Sequence, residues 1–214
     1  MAKQGKAALQ FLIGLILCLF IISVSVTLTL QFRPLFYMDM RLLDIPGMSG
    51  FDEATIRDNY DALIAYNGLF HRGPLELPSL AMSESGRIHF EEVKVVFDLF
   101  GWMAIVTFVL SVAGILWSRS QKRYSYLKTA ALLCVILPAA LGIFVAINWD
   151  FAFTLFHRVV FRNDYWIFNA VTDPVILMLP DTFFLHCALL IFSMVVLGSI
   201  LCWIVYSYLK KKTT

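Results

Sequence analysis

The 214-residue chain is 60% apolar and only 15% charged, with a formal net charge of +2. A soluble domain carries about 25% charged residues, so this chain lacks the polar side chains to cover its surface, and part of that surface must face lipid. Its basic residues fall into short clusters beside apolar stretches, which excludes nucleic acid as a partner.

Residues 1–31 begin with Lys3 and Lys6 and continue as the apolar run Ala7–Leu30. A helical crossing takes about 20 such residues. The run is about twice a secretory signal's apolar region and lacks a small-x-small cleavage site, so it reads as a retained anchor. Cys18 follows Leu17 where a lipobox places a small residue, and the chain is not read as lipid-modified itself.

Residues 32–93 read as a small α+β cap on the outer side. Within them Ser49-Gly-Phe-Asp-Glu marks a helix start, and Phe51, Ile56, Tyr60, Leu63 and Ile64 share one helical face that ends near Asn67-Gly68. Leu75, Leu77, Leu80 and Met82 follow, then Ser83-Glu-Ser-Gly86 as a turn. From Arg87 the chain enters a helix running straight into the second span, 94–117, whose apolar core is Leu99–Trp117.

Residues 118–128 form a basic loop, 129–147 a third span, 148–181 a second outer loop, and 182–214 a fourth span (Thr182–Leu209) with the tail Lys210, Lys211, Lys212. Four spans and an outer cap make an all-α integral membrane protein. No Lys, Arg, Asp or Glu lies in the four apolar cores, which counts against an ion-coupled transporter. Cys18, Cys134, Cys187 and Cys202 all fall in spans without CxxC spacing, as small apolar packing residues.

Charge sets the orientation. Lys3, Lys6, Arg119, Lys122, Arg123, Lys128 and the three terminal lysines lie on one side with no acid among them; all 15 acids and the other eight basic residues lie on the other. The positive-inside rule places the first side, and both termini, in the cytoplasm.

The second outer loop is dense in rings: eight of the twenty residues from Trp149 to Phe168 are aromatic, five of them Phe. An interfacial belt prefers Trp and Tyr, so the Phe residues point to a stretch that dips into the interface or lines an apolar pocket. Set in it are His157, Arg158, Arg162, Asn163 and Asp164, with Asp173 beyond.

Histidine is the natural proton carrier near neutral pH, and four lie on the outer half. His71, in Phe70-His-Arg-Gly-Pro, reads as solvated; His186, one turn into the last span, reads as a bond to a neighbouring helix. His89, taken by position, reads as a capping or surface residue. His157 is the strongest single candidate. His89-Phe-Glu-Glu-Val is not HExxH, and no GxSxG, Walker loop or GxGxxG occurs. Asp164 and Asp173, each taken alone, read as structural.

The run Phe156-His-Arg-Val-Val-Phe-Arg-Asn-Asp-Tyr-Trp166, with Thr172-Asp-Pro174 and Leu179-Pro-Asp-Thr-Phe-Phe184, resembles the bacterial lipoprotein intramolecular transacylase family. Gly86-Arg-Ile-His-Phe-Glu-Glu-Val-Lys94 is similar to that family's second motif. Span number, cap size and orientation agree over nearly the whole chain. The resemblance implies an outer-leaflet acyltransferase that moves the sn-2 acyl chain of a diacylglyceryl lipoprotein to the α-amino group of its own N-terminal cysteine. Two histidines carry that reaction, corresponding by position to His89 and His157. Asn163, Asp164, Tyr165, Trp166 and Asp173 become substrate-contacting residues, the partners are the lipoprotein N-terminus and membrane lipid, and no metal or organic cofactor is implied. Two other readings stay open: a non-catalytic sensor or assembly subunit, and a lipid hydrolase or intermolecular acyltransferase using the same histidines.

Overall fold

In the computed structural model the described residues are 3–213, without the side chains of 3, 141, 144, 146 and 213. The ends of the first and last expected segments, 1–2 and 214, lie outside them. The helices are α1 (Lys3–Gln31), α2 (Arg33–Leu42), α3 (Ile45–Ser49), α4 (Glu53–Tyr66), α5 (Glu84–Ser120), α6 (Ser125–Ile147), α7 (Trp149–Val160) and α8 (Asp181–Thr213), with a 3-10 turn at Pro174–Met178. Three helices are long and apolar enough to cross a membrane, within Gln4–Gln31, Glu84–Ser120 and Asp181–Lys212, and a shorter apolar stretch covers Ser125–Ala140.

No strand occurs among the described residues, so the expected α+β cap is corrected to an all-helical one. Between α4 and α5 the chain is irregular for a physical reason. Pro74 and Pro78 remove backbone donors that a ladder needs. Side chains pin this segment instead: Asn59 donates to Ser79 Oγ (2.7 Å), and Lys94 donates to the Gly68 carbonyl (3.2 Å). Ser83–Gly86 is likewise no separate turn but the first turn of α5. The Ser83 hydroxyl accepts from the Gly86 amide (3.0 Å) and its carbonyl from the Arg87 amide (2.9 Å), an N-cap arrangement.

The chain divides into two compact units. The first holds Met1–Thr27, Phe100–Phe144 and Leu190–Thr214, so its helical parts come from α1, α5, α6 and α8. Ile13, Leu17, Ala130, Ala131, Cys134 and Cys202 are buried there, and small residues let the helices close. A Cβ on Gly14 would strike Thr129 and the Tyr126 carbonyl. Gln10 is buried but satisfied, donating to Ser118 Oγ (2.8 Å) and accepting from Ser125 (3.2 Å) and the Tyr126 amide (3.3 Å). Outward, these helices expose Leu, Val, Ile, Phe and Trp, the inverse of a soluble bundle.

The second unit holds Leu28–Leu99 and Val145–Leu189. The helical face expected in the first outer segment is α4: Asp52 caps it by accepting from the Thr55 amide (2.8 Å), and Ile56, Tyr60, Leu63 and Ile64 are buried. They pack with Phe36 and Met40 of α2, an i, i+4 pair, and with Val175, Met178 and Phe183. Phe36 stacks on Tyr60 at 3.6 Å between centroids; full burial of such a ring contributes about 1.5–3 kcal/mol.

Candidate active site

Every residue of the candidate site belongs to the second unit. His89 lies in the second turn of α5, five residues after its start at Glu84. A 37-residue helix is about 55 Å long, against about 30 Å of hydrocarbon. The beginning of α5, with His89, therefore precedes the part read as the second span. The ring is only 5% exposed, which overturns the surface or capping reading.

His157 comes from α7. Asn148 caps this helix by accepting from the Phe151 amide (2.9 Å). Phe151, Leu155, Phe156, Val159 and Val160 are exposed, while Ala152 is buried and Phe153 and His157, one turn apart, are half-buried. The Phe residues are thus not all enclosed. Some face outward, and those on the inner side form the wall.

The two histidines meet. Their ring centroids are 5.9 Å apart with planes inclined by 36°. Phe161 stands edge-on to His89 at 4.7 Å and Phe168 at 5.5 Å. Phe153 lies 4.2 Å from His157 and Trp166 4.9 Å. His157 Nδ1 is 2.8 Å from the Phe153 carbonyl oxygen. A carbonyl can only accept, so Nδ1 carries the hydrogen and, in the neutral ring, Nε2 keeps the free lone pair. The buried Nδ1 of His89 has no protein partner.

Both rings are pushed toward the uncharged form. Burial pushes the His89 imidazole down to about 4, and the neighbouring His157 acts in the same sense. Burial also holds His157 below the ordinary histidine range, although the Phe153 carbonyl and the Asp181 carboxylate pull the other way. The physical cause is desolvation of an imidazolium among aromatic rings.

Asn163 organises the loop after α7. Arg162 turns the chain with a left-handed φ of 56°, the usual conformation just past a helix C-cap. Asn163 then donates from Nδ2 to Glu92 Oε1 (2.8 Å) and to the Phe161 carbonyl (3.1 Å), and accepts from the Tyr165 amide (3.0 Å). The Trp166 indole N–H donates to the Asn163 carbonyl (2.8 Å), which fixes the indole against His157. Asp164 and Tyr165 are exposed, and among the described residues neither makes a side-chain hydrogen bond.

Asp173 is 2% exposed and engaged at both oxygens. Oδ1 accepts from the Ser83 amide (2.7 Å) and Oδ2 from the Thr172 hydroxyl (2.7 Å). A Cβ on Gly86 would collide with this carboxylate and crowd Phe168, so glycine is what allows the loop to dock on the first turn of α5. Asp173 thus ties the loop carrying Asn163 and Trp166 to the helix carrying His89.

The other histidines are structural in form. His186 Nδ1 lies 2.9 Å from both oxygens of fully buried Asp39 on α2. His71 is not solvated as its loop suggested: its ring packs against Tyr66 at 5.5 Å and its Nε2 is buried. Sequence reasoning missed Glu92 and Asp39. Glu92 follows His89 by three residues, a spacing that places both on one helical face, and that signal was available. Asp39 had none, because its partner is 147 residues away. Among the described residues no group of three or more His, Cys, Asp or Glu is placed to hold a metal ion.

The profile of a family described as lipoprotein intramolecular transacylase Lit matches residues 11–184. The chain is similar to the in meso structure of the membrane-integral lipoprotein intramolecular transacylase Lit from Bacillus cereus, at 35% identity, covering 98% of each chain with a TM-score of 0.95. Structures of that Bacillus cereus protein with one histidine replaced by arginine or by alanine match at 35% identity and a TM-score of 0.89, covering 98% of this chain and 95% or 96% of theirs. Among curated proteins none matches.

Proposed function

The chain belongs to the lipoprotein intramolecular transacylase (Lit) family, membrane-integral acyltransferases, and on that premise we propose that His157 and His89 are the acid/base pair of its reaction. The substrate is a diacylglyceryl lipoprotein whose sn-2 acyl chain moves to the α-amino group of its own N-terminal cysteine, giving the lyso form. The observation that carries this reading is the approach of two imidazoles to 5.9 Å inside an aromatic wall, where burial disfavours their charged forms.

The proton inventory fits two imidazoles. One neutral ring takes a proton from the α-ammonium group. The freed nitrogen attacks the ester carbonyl carbon, the C–N bond forms, and the C–O bond to glycerol breaks. A second N–H proton passes through an imidazole to the departing glyceryl oxygen, and the proton first taken is released to water. Because amine and ester belong to one molecule, the protein's main task is to fold the substrate into a near-attack arrangement. The rings around the histidines exclude the water that would hydrolyse the ester. Imidazole carries every proton in this scheme, so it calls on no metal or organic cofactor. Trp166, Asn163 and Asp173 position the site, with Asp164 and Tyr165 at its exposed rim toward the substrate.

The same reading places the chain in the membrane. A 23-residue helix is about 35 Å long, enough for α6 to serve as a fourth crossing within 129–147. The basic clusters put both termini and loop 118–128 in the cytoplasm, and segments 32–93 and 148–181 outside. The exposed apolar face of α7 then rests against outer-leaflet lipid.

The test is transacylation of a synthetic diacylglyceryl lipopeptide, read by mass of the N-acylated lyso product. Release of free fatty acid, or transfer only from a separately added donor lipid, would replace the assignment with a hydrolase or an intermolecular acyltransferase. Reporter fusions after Gln121 and near Asn67 should read cytoplasmic and external; the opposite pattern would move the site to the wrong leaflet.

A further inference from the structure

Of the buried polar atoms in this unit that lack a hydrogen-bond partner, two lie on α5: His89 Nδ1 and Glu92 Oε2. Three residues apart, they point to the same side of the helix. Apart from the free Nε2 of His157, much of the polar capacity nearby is spent. Glu92 Oε1 is taken by Asn163, both oxygens of Asp173 are taken by Ser83 and Thr172, and His157 Nδ1 is taken by Phe153. A buried carboxylate oxygen without a protein donor is costly, so it favours a donor from outside the chain.

The substrate brings a suitable donor. An α-amino group has an ordinary pKa of about 8 and arrives at neutral pH as an ammonium. An imidazole is either neutral or cationic, so the two histidines offer it no countercharge in any state, and burial that disfavours the cation keeps them from repelling it. Glu92 does, and Asn163 fixes its carboxylate so that Oε2 is the oxygen left over. Through Asn163 and the indole of Trp166 this carboxylate is linked to the ring of His157. We propose that Glu92 is the binding residue for the substrate's α-ammonium group, holding it through Oε2 beside the imidazoles that deprotonate it. No bond changes at Glu92. It binds the cation, and the proton goes to imidazole as above. The inference rests on the acid/base reading of His89 and His157 and adds the group that selects a free amine at that site.

The experiment measures binding as well as turnover. Two diacylglyceryl lipopeptides are compared, one with a free α-amino group and one with that group acetylated, on the full chain in lipid. The wild type should bind the free-amine peptide more tightly at pH 7 by about 10- to 100-fold, the range of a hydrogen bond to a charged partner. That preference should vanish above pH 9 as the ammonium is lost. Glu92→Gln keeps the acceptor for Asn163 and removes the charge; it should abolish the preference while leaving affinity for the acetylated peptide within a few-fold. Equal loss of affinity for both peptides in Glu92→Gln would make Glu92 structural only and overturn the proposal, as would a wild type showing no preference at pH 7, a result that needs no variant to fold. His157→Ala separates the two readings: loss of turnover with the amine preference kept supports both. Normal turnover in that variant would sink the acid/base assignment without touching the binding result.

Discussion

His89 and His157 face each other and, among the described residues, neither ring is hydrogen-bonded to a carboxylate, whereas His186 is gripped by both oxygens of a carboxylate sealed from solvent. The centres belong to one unit and use the same side chain, yet they are built to opposite rules. At His186 and Asp39 each buried polar group meets its complement, which is how a fold joins two helices across an apolar core. At His89 and His157 one ring nitrogen and a nearby carboxylate oxygen go unmet, and the rings are pressed toward neutrality by aromatic neighbours. A satisfied centre has nothing left to offer a substrate. On the proposed reading the unsatisfied one keeps its unfavourable desolvation for an incoming group, in line with the clustering of perturbed residues at functional sites.

That contrast can be broken most decisively by exchanging the histidines. His157→Ala and His89→Ala should each lower transacylation by roughly 10²–10⁴-fold, the usual loss for a general acid or base, with membrane insertion intact. His186→Ala should leave turnover of the folded protein within a few-fold but lower its unfolding temperature, because Asp39 keeps its burial and loses its partner. The reverse result, an inactive but stable His186→Ala, would make the wrong pair catalytic.

Acid should distinguish the centres next. The folded chain withholds a proton from His89 until about pH 4, while the unfolded chain accepts one near 6.5. Between those values the unfolded state binds more protons, so stability is present above 6.5 and declines as pH falls toward 4. Thermal unfolding at pH 7 and pH 5 should show that decline in the wild type and a shallower one in His89→Gln. Equal slopes would mean that burial does not hold His89 neutral.

Smaller effects sharpen the picture. Trp166→Phe keeps a ring beside His157 but removes the indole hydrogen bond to Asn163. Loss of one neutral bond of about 0.5–1.5 kcal/mol should slow turnover by about 2- to 10-fold. The smallest change is expected from His71→Ala, which touches Tyr66 away from the paired rings and should stay within a few-fold by the same product assay.

Much of this was legible in the chain. The apolar runs, their basic flanks and the face of α4 follow from local rules: hydrocarbon thickness, charge at membrane edges and the 3.6-residue period each act over twenty residues or fewer. The sequence by itself therefore determined a helical membrane protein, the shortlist of histidines and, through two short motifs, its family. Other features needed distant residues to meet. Prolines and side-chain pins, with no partner strand, turned an expected α+β cap into helices and an irregular segment. Asn163 found Glu92 across 71 residues and His186 found Asp39 across 147. His89 looked like a surface residue because solvent exposure is not a property of a residue or its neighbours in sequence. Only tertiary packing sealed it under Phe161 and Phe168 beside His157, and the same desolvation that buried the ring lowered its proton affinity.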